Sequence, residues 1–511
     1  MSGFDHDDRH QQGSPSEPQP GARKASEAEA PTSPAVGRDE WVARHGERRI
    51  RRGGVLGTLE ERLAVVPWWV WLTLFVAAAC TVPLFSESGY VRRVAFDTVV
   101  FMLLALGLNV VVGWGGLLDL GYVAFFGIGA YAYALLASDK YDIHVPTIAL
   151  IPLVALIGGI AGWLVGLPSR RLTGDYLAIV TLFFFQVFLT ATNNGDDVFG
   201  RNLTNGPNGI LDVDVFSFFG WSLPRVTSTG QFSVRYLYVA LAIFGLVYVA
   251  LRLLNDSRTG RAWRSLREDA LAAEVMGMPV NTLKLMAFAF GASVAALTGS
   301  VAAALNGSVF PQNFEFPLLI TVYTMVILGG AGSQVGVVLG AIIVSVLLEV
   351  LREPGDARGL FYLVILLALV GVFRPSLRLA IVLGGTAVLG FVAHLVAGRV
   401  DDAWTAGVAE DSGRIAGWVS DWVIVPTQLA GWVPAVSYVT LIALALGLTL
   451  VEGWRRVALL IPTLYLAAFV WENVLLDAPE STRYVVLGGL LVAMMIARPQ
   501  GLLGEKRVEI V

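Results

Sequence analysis

An all-α membrane protein with many spans is the fold class this sequence predicts, and three observations carry it. Only 15% of the 511 residues are charged, against about 25% in soluble globular chains. Mean hydropathy is +0.66. The apolar residues gather into uncharged runs long enough to cross a bilayer. The formal net charge of −4 says little about partners, because the placement of charge rather than its sum orients a membrane protein. No basic domain points to nucleic acid. Cys80, the sole cysteine, lies in an apolar run, so there is no disulfide framework or thiolate metal site, and it reads as a packing residue.

Residues 1–64 read as a disordered cytoplasmic tail followed by a basic juxtamembrane segment. Residues 1–39 are rich in Pro, Ser, Gln, Glu, Asp and His, a composition that buries too little to offset the entropy of ordering. Arg44, Arg48, Arg49, Arg51 and Arg52 follow, where a secretory signal would place an apolar core and cleavage site.

Fourteen apolar segments come next, at 65–85, 94–112, 115–137, 145–167, 176–192, 236–254, 285–305, 317–330, 335–351, 360–373, 377–397, 433–451, 457–476 and 484–497. Several are short, and 317–330 suits a re-entrant or broken helix, so 12–14 transmembrane or re-entrant helices are expected. With the amino terminus inside, parity places Arg170 and Arg171, the arginines of 258–267, Arg374 and Arg378, Arg455 and Arg456, and Arg498, Lys506 and Arg507 inside. That obeys the positive-inside rule, with Arg92 and Arg93 as the exception. The polar loop 193–235, with Asp196, Asp197, Asp212 and Asp214, falls outside, and the carboxyl terminus returns inside. Small residues at helix-contact spacing, Gly162 with Gly166 and Gly336 with Gly340, predict close helix packing.

Residues 106–136, LGLNVVVGWGGLLDLGYVAFFGIGAYAYALL, carry seven glycines inside an apolar run. Glycine costs about 1 kcal/mol against alanine in a helix, so this density predicts broken helices, tolerated at membrane depth where the backbone is buried in protein or lines a polar cavity. Asp119, at its centre, is either a functional carboxylate or a local pin for neighbouring backbone. In 174–189, GDYLAIVTLFFFQVFL, Asp175 suits a helix start, and Gln186 either meets a solute or bonds across helices. In 255–284, Trp263, Leu266, Ala270 and Ala273 share one face of a short amphipathic helix, opposite Arg264, Arg267, Glu268 and Asp269, until Gly277 and Pro279 end it. Spacing allows either a helix lying in the headgroups or a docking surface for a soluble partner.

The runs LNVVVGWGGLLDLGYVAFFGIGAYAYALL, GDYLAIVTL, TNGPNGI at 204–210, GRAWRSLREDALAAEVMGM at 260–278 and VILGGAGSQVGVVLGA at 326–341 resemble, in consistent order over about 65–375, the permease subunits of branched-chain amino-acid ABC transporters, and the Asp-Leu-Gly-Tyr run resembles the LivM type. The resemblance implies an ABC importer permease core at 65–375, with 193–235 as an external loop and 255–284 as a cytoplasmic coupling loop. Arg264, Glu268, Asp269, Ala272 and Gly277 would couple to the ATPase. Asn109, Gly115, Gly116, Asp119, Tyr122, Asp175, Thr181, Gln186, Asn208 and Gln334 would line the translocation path. Implied partners are cytoplasmic ABC ATPase subunits, a second homologous permease subunit, an extracytoplasmic substrate-binding protein and membrane lipid, in the inner membrane of a bacterium. No GxxxxGK[ST] phosphate loop occurs in the chain. ATP and Mg would therefore sit on the ATPase, with no cofactor, catalytic residue or metal on this chain.

Two stretches depart from the family pattern. After Thr181-Leu182 the family continues Gly-aromatic-Gly-Glu with an Arg three residues on, where this chain has Phe183, Phe184, Phe185, Gln186 and Leu189; the transported solute then need not be an ordinary branched-chain amino acid. The family's Arg-Pro-Gln-Gly-Leu-Leu ending stands at 498–503, after an earlier Arg374-Pro375. Residues 376–480 are thus extra, either inserted or duplicated, with Trp404, Trp418, Trp422 and Trp432 suited to an interfacial helix, and 481–511 form the final helix and tail. The rival from another class is an ion-coupled secondary transporter using Asp97, Asp119 or Glu472 as a proton relay. An integral-membrane enzyme fits poorly. Of five histidines, His6, His10 and His45 lie in the first 45 residues, and none in the spans stands near a second ligand.

Overall fold

A computed structural model describes residues 67–85, 88–169, 174–198, 200–218, 221–226, 232–373, 377–407, 417–419, 421–476 and 478–504. The expectations for the amino-terminal tail and for Arg170, Arg171, Arg374, Lys506 and Arg507 lie outside these residues. The chain divides into two compact units, 1–71 and 72–511; the elements beyond α1 all belong to the second.

Helices dominate. They are α1 (Trp68–Phe85), α2 (Gly89–Leu108), α3 (Tyr122–Leu136), α4 (Thr147–Ser169), α5 (Asp175–Asn193), α6 (Val234–Asp256), α7 (Arg258–Glu268), α8 (Ala270–Val275), α9 (Val280–Asn306), α10 (Phe316–Gly329), α11 (Gln334–Val350), α12 (Pro354–Phe373), α13 (Leu377–Val400), α14 (Val433–Leu450), α15 (Trp454–Val470) and α16 (Pro479–Ala497). Two short hairpins, β1 (Ala137–Ser138) with β2 (Ile143–His144) and β3 (Ser217–Phe218) with β4 (Trp221–Ser222), sit in the loops. Each of the fourteen apolar segments contains a helix, and among the described residues nine helices are long and apolar enough to cross a membrane.

The core is organised around α9, whose 27 residues run about 40 Å against α3 and α4. Glycine makes the approach possible: a Cβ on Gly162 would meet the Phe288 carbonyl oxygen at 2.6 Å, and one on Gly340 the Gly329 nitrogen at 2.8 Å. Thus α4 lies on α9 and α11 on α10, as the small-residue spacing predicts.

Two segments differ from expectation. The run 115–137 is not one helix: α2 ends in a π-helical turn, Asn109–Trp114, residues 115–121 are irregular, and only Tyr122–Leu136 is helical. The expected amphipathic helix over 255–284 is two helices, because Asp269 adopts extended backbone and its carboxylate accepts the Leu271 and Ala272 N–H groups at 2.9 and 3.0 Å, capping α8.

Towards the carboxyl end, α13 and α14 pack on α15. Arg358 of α12 pairs with Glu472 at 2.9 Å, both buried, and Phe361 stacks on Trp471 with centroids 4.3 Å apart. Trp404, Trp418 and Trp432 are exposed. Trp422 instead packs against Tyr362 and Tyr465 and donates to the Ala387 carbonyl at 3.1 Å, so the four do not share one interfacial surface.

Candidate functional site

In the irregular stretch 115–121, the Gly115 and Leu117 N–H groups bond to the Val110 and Val111 carbonyls, and side chains satisfy the backbone of 119–121, as membrane depth requires. Tyr323 Oη of α10 accepts from the Asp119 N–H at 3.1 Å and donates to the Asp119 carbonyl at 2.6 Å. The Leu120 N–H donates to Thr181 Oγ1 at 2.9 Å. Asp119 Oδ1 accepts from the Gly121 N–H at 2.9 Å. Tyr122 closes the start of α3 by donating to the Leu104 carbonyl at 2.9 Å. Asp119 is fully buried, and its Oδ2 has no hydrogen-bond partner among the described residues.

A second break meets the first. Residues Gly330 and Gly332, both at positive φ (105° and 98°), turn the chain from α10 into α11. Here the Gly332 N–H donates to Asn109 Oδ1 at 2.7 Å, and Trp114 Nε1 donates to the Gly332 carbonyl at 3.0 Å. An asparagine reaching out of the helix and an adjacent glycine, Gly113, accompany the π-helical turn, a feature common at functional sites. Gln334 starts α11 two residues on, its amide buried and without a partner among the described residues.

The same junction receives the loop between α6 and α9. Trp263 is buried, stacks on Trp114, meets Phe290 edge-on and donates to the Leu283 carbonyl at 2.8 Å. A headgroup-facing place for Trp263 is therefore excluded. Arg267, expected on the solvent face, turns inward: a Cβ on Gly116, at φ +65°, would lie 3.1 Å from Arg267 Cγ. Its apolar stem covers the glycine break, the habit of long basic side chains.

Outward, α8 shows Leu271, Val275 and Met276, 74%, 81% and 79% exposed. Arg264, Glu268, Asp269, Ala272 and Gly277 are exposed around them. Gly277, at φ +79°, ends α8: its N–H bonds to the Glu274 carbonyl at 2.9 Å and the Met278 N–H to the Ala273 carbonyl at 3.0 Å, a Schellman closure that favours glycine.

Of the expected path residues, Asn109, Gly115, Gly116, Asp119, Tyr122 and Thr181 gather at these breaks, with Gln334 beside them. Asp175 and Asn208 are exposed and apart from them. Gln186, on the exposed side of α5, lines a separate cavity with Thr190, Asn193 and Glu315. Neighbouring Phe184 packs on Phe125, centroids 5.2 Å apart. Sequence reading missed Tyr323, Trp114 and Gly332; of these only Gly332 left a signal, the Gly-Gly-Ala-Gly run at 329–332.

Among the described residues, two of the three carboxylates suited to a proton relay are already paired, Asp97 with Arg93 at 3.1 Å and Glu472 with Arg358. Outside the spans, His144 Nδ1 lies 2.8 Å from Asp214 Oδ2. That hydrogen bond, then the charges of Asp214, Asp139 and Asp142, raises its pKa above the ordinary histidine value.

An all-α fold with many apolar helices of membrane-crossing length, several of them broken, defines a polytopic membrane protein. The chain belongs to the family described as the branched-chain amino acid transport system permease component, whose pattern matches residues 90–373. It is 36% identical over 323 residues to the high-affinity branched-chain amino acid transport system permease protein LivM of Salmonella typhimurium, covering 60% of this chain and 74% of that one. It is 28% identical over 298 residues to a probable LivM permease of Methanocaldococcus jannaschii, 51% of this chain and 79% of that one. It is 24% identical over 258 residues to the LivH permease protein of Escherichia coli, 48% and 80%. No solved structure matches the chain. It is a LivM-type, multi-pass protein of the bacterial inner membrane.

Proposed function

We propose that this chain is a translocation subunit of an ATP-binding-cassette importer for branched-chain or other hydrophobic amino acids or related small polar solutes. A separate cytoplasmic ATPase, which holds ATP and Mg, drives it. A second homologous permease completes the path and an extracytoplasmic binding protein delivers solute. The observation that carries this reading is the two-sided build of α7–α8: Leu271, Val275 and Met276 face outward, while Trp263 and Arg267 grip the glycine breaks. An apolar patch on a short helix suits a pocket on a soluble partner. Pushing α8 would move α7 against the π-helical turn and the Gly330–Gly332 turn, a rigid-body route from ATPase to span. The aromatic replacements at Phe183–Phe185 bear on which solute passes rather than on how transport is driven.

The test is copurification from native membranes in mild detergent. Unaltered protein should bring down an ATPase, and the double variant Leu271→Glu, Val275→Glu should insert normally yet lose it. Equal ATPase recovery with both would overturn the docking role. Uptake by this chain alone, driven by a proton gradient, would establish the secondary-transporter alternative instead.

A further inference from the structure

Two loops far apart in sequence form a single edge. The hairpin between α3 and α4 pairs Ala137 with His144 and Ser138 with Ile143. Ser138 also bridges to Val213, in the segment between α5 and α6, and the Asp214 N–H donates to the Ala137 carbonyl at 2.7 Å. Alternation along paired strands sets His144 and Asp214 on one face of this edge, with Ser138, Ile143 and Val213 on the other. The charge asymmetry of the sequence assigns both loops to the outside.

Carboxylates meet the His144 ring at both nitrogens. Nδ1 lies 2.8 Å from Asp214 Oδ2, and Nε2 lies 3.7 Å from Asp139 Oδ1 and 3.6 Å from Asp142 Oδ1. Ligand atoms of Asp139, His144 and Asp214 all fall within 4.8 Å of one another. The basic residues close by in the chain are engaged elsewhere: Lys140 Nζ donates to Asn202 Oδ1 at 2.8 Å, and Arg225 donates to the Ala304 and Val213 carbonyls. Among the described residues, the three carboxylates have no ion-pair partner but His144. An imidazolium answers one of three negative charges, whereas a divalent ion answers two and takes the imidazole as a neutral ligand. With Nδ1–H donated to Asp214, Nε2 presents its lone pair to Asp139 and Asp142, the arrangement in which a carboxylate orients a metal-binding histidine. Ligand atoms on a tetrahedral zinc stand roughly 3.4 Å apart, given bonds of about 2.0–2.2 Å. The Asp139 and Asp142 side chains are 77% and 99% exposed, so they can turn in to close the difference.

We propose that this edge binds a zinc ion through His144 Nε2 and one oxygen each of Asp139 and Asp142, with Asp214 orienting the ring and water in the fourth position. A ring nitrogen beside carboxylate oxygens favours zinc over calcium and magnesium, which take oxygen ligands. The ion fastens the hairpin turn to His144 and, through Asp214, to the segment between α5 and α6. The site stands apart from the glycine breaks and from α7–α8, and it does not depend on how transport is driven.

The test is zinc binding by the full-length chain, purified in detergent without a polyhistidine tag and carrying His6→Gln, His10→Gln and His45→Gln to remove the histidines of the amino-terminal tail. After EDTA treatment and dialysis against zinc, elemental analysis should find one zinc per chain, retained in excess calcium. Adding His144→Ala should abolish binding. The pair Asp139→Asn, Asp142→Asn should do the same, and it alters only exposed side chains, so the fold is kept. Asp214→Asn leaves the direct ligands in place and should weaken binding by about 10–100-fold. Zinc should raise the thermal midpoint of the background protein, as any ligand of the folded state does, and leave that of the paired Asp variant unmoved. No zinc on the background protein, zinc retained by either His144→Ala or the paired Asp variant, or ready displacement by calcium would overturn the site.

Discussion

Trp263 of α7 lies on Trp114 of the π-helical turn, ring centroids 6.3 Å apart and planes 20° from parallel. One ring belongs to a loop helix and the other to a broken span, so under the proposed coupling the pair would carry displacement between them without a flexible link. Stacked aromatic pairs contribute about 0.5–1.5 kcal/mol beyond burial, and truncating a buried Trp costs about 3–5 kcal/mol. Trp263→Ala should therefore lower the thermal midpoint and raise the ATP hydrolysed per solute imported, whereas Trp263→Phe, which keeps the ring, should retain most coupling. A hydrolysis-to-uptake ratio in Trp263→Ala equal to that of the parent would refute transmission through this contact.

Gly116 and Gly277 make a matched pair of predictions. Both have positive φ, which costs an L residue about 1–2 kcal/mol. A Cβ at Gly277 meets nothing within 4 Å, while one at Gly116 presses on Arg267. Gly277→Ala should thus be mild and Gly116→Ala the more damaging to uptake. Gly277→Pro, which removes the N–H of the Schellman closure and forbids the positive φ, should uncouple transport while the protein still inserts. Uptake assays with expression controls rank the three.

Asp119→Asn keeps an acceptor for the Gly121 N–H and the backbone bonds to Tyr323, so ATP-driven uptake should survive. Asp119→Leu leaves that N–H unpaired in a buried site, at about 1–3 kcal/mol, and should reduce both stability and uptake. A dead Asp119→Asn protein that inserts normally would revive a proton-relay role for this carboxylate.

The loop contact at His144 gives a pH dependence. Its pKa is higher in the folded protein than the 6.5 of an unperturbed histidine, so its contribution to stability is complete below about pH 6.5 and is lost as pH rises through the folded value. Limited proteolysis of the loops bearing His144 and Asp214 should accordingly be slower at pH 6 than at pH 8. His144→Gln should flatten that difference.

How much of this was legible beforehand depends on range. The apolar helices were, because apolar runs of bilayer length need no tertiary knowledge; so was the disturbance around Asp119, since seven glycines in an apolar run argue against an unbroken helix. The split at Asp269 was not, because the apolar spacing from Trp263 to Ala273 continues across it while a side-chain cap competes locally with the helix. Tyr323 was invisible for a different reason. It acquires meaning only from a partner far away in sequence, the Asp119 backbone.

The last described residues fold back on the middle of the chain: the Leu502 and Leu503 N–H groups donate to the Leu328 and Gly329 carbonyls at 2.8 and 3.0 Å, capping α10 beside the Gly330 turn. Those carbonyls gain these donors only once Leu502 and Leu503 have been made, so the end of α10 is sealed by a segment synthesised long after it.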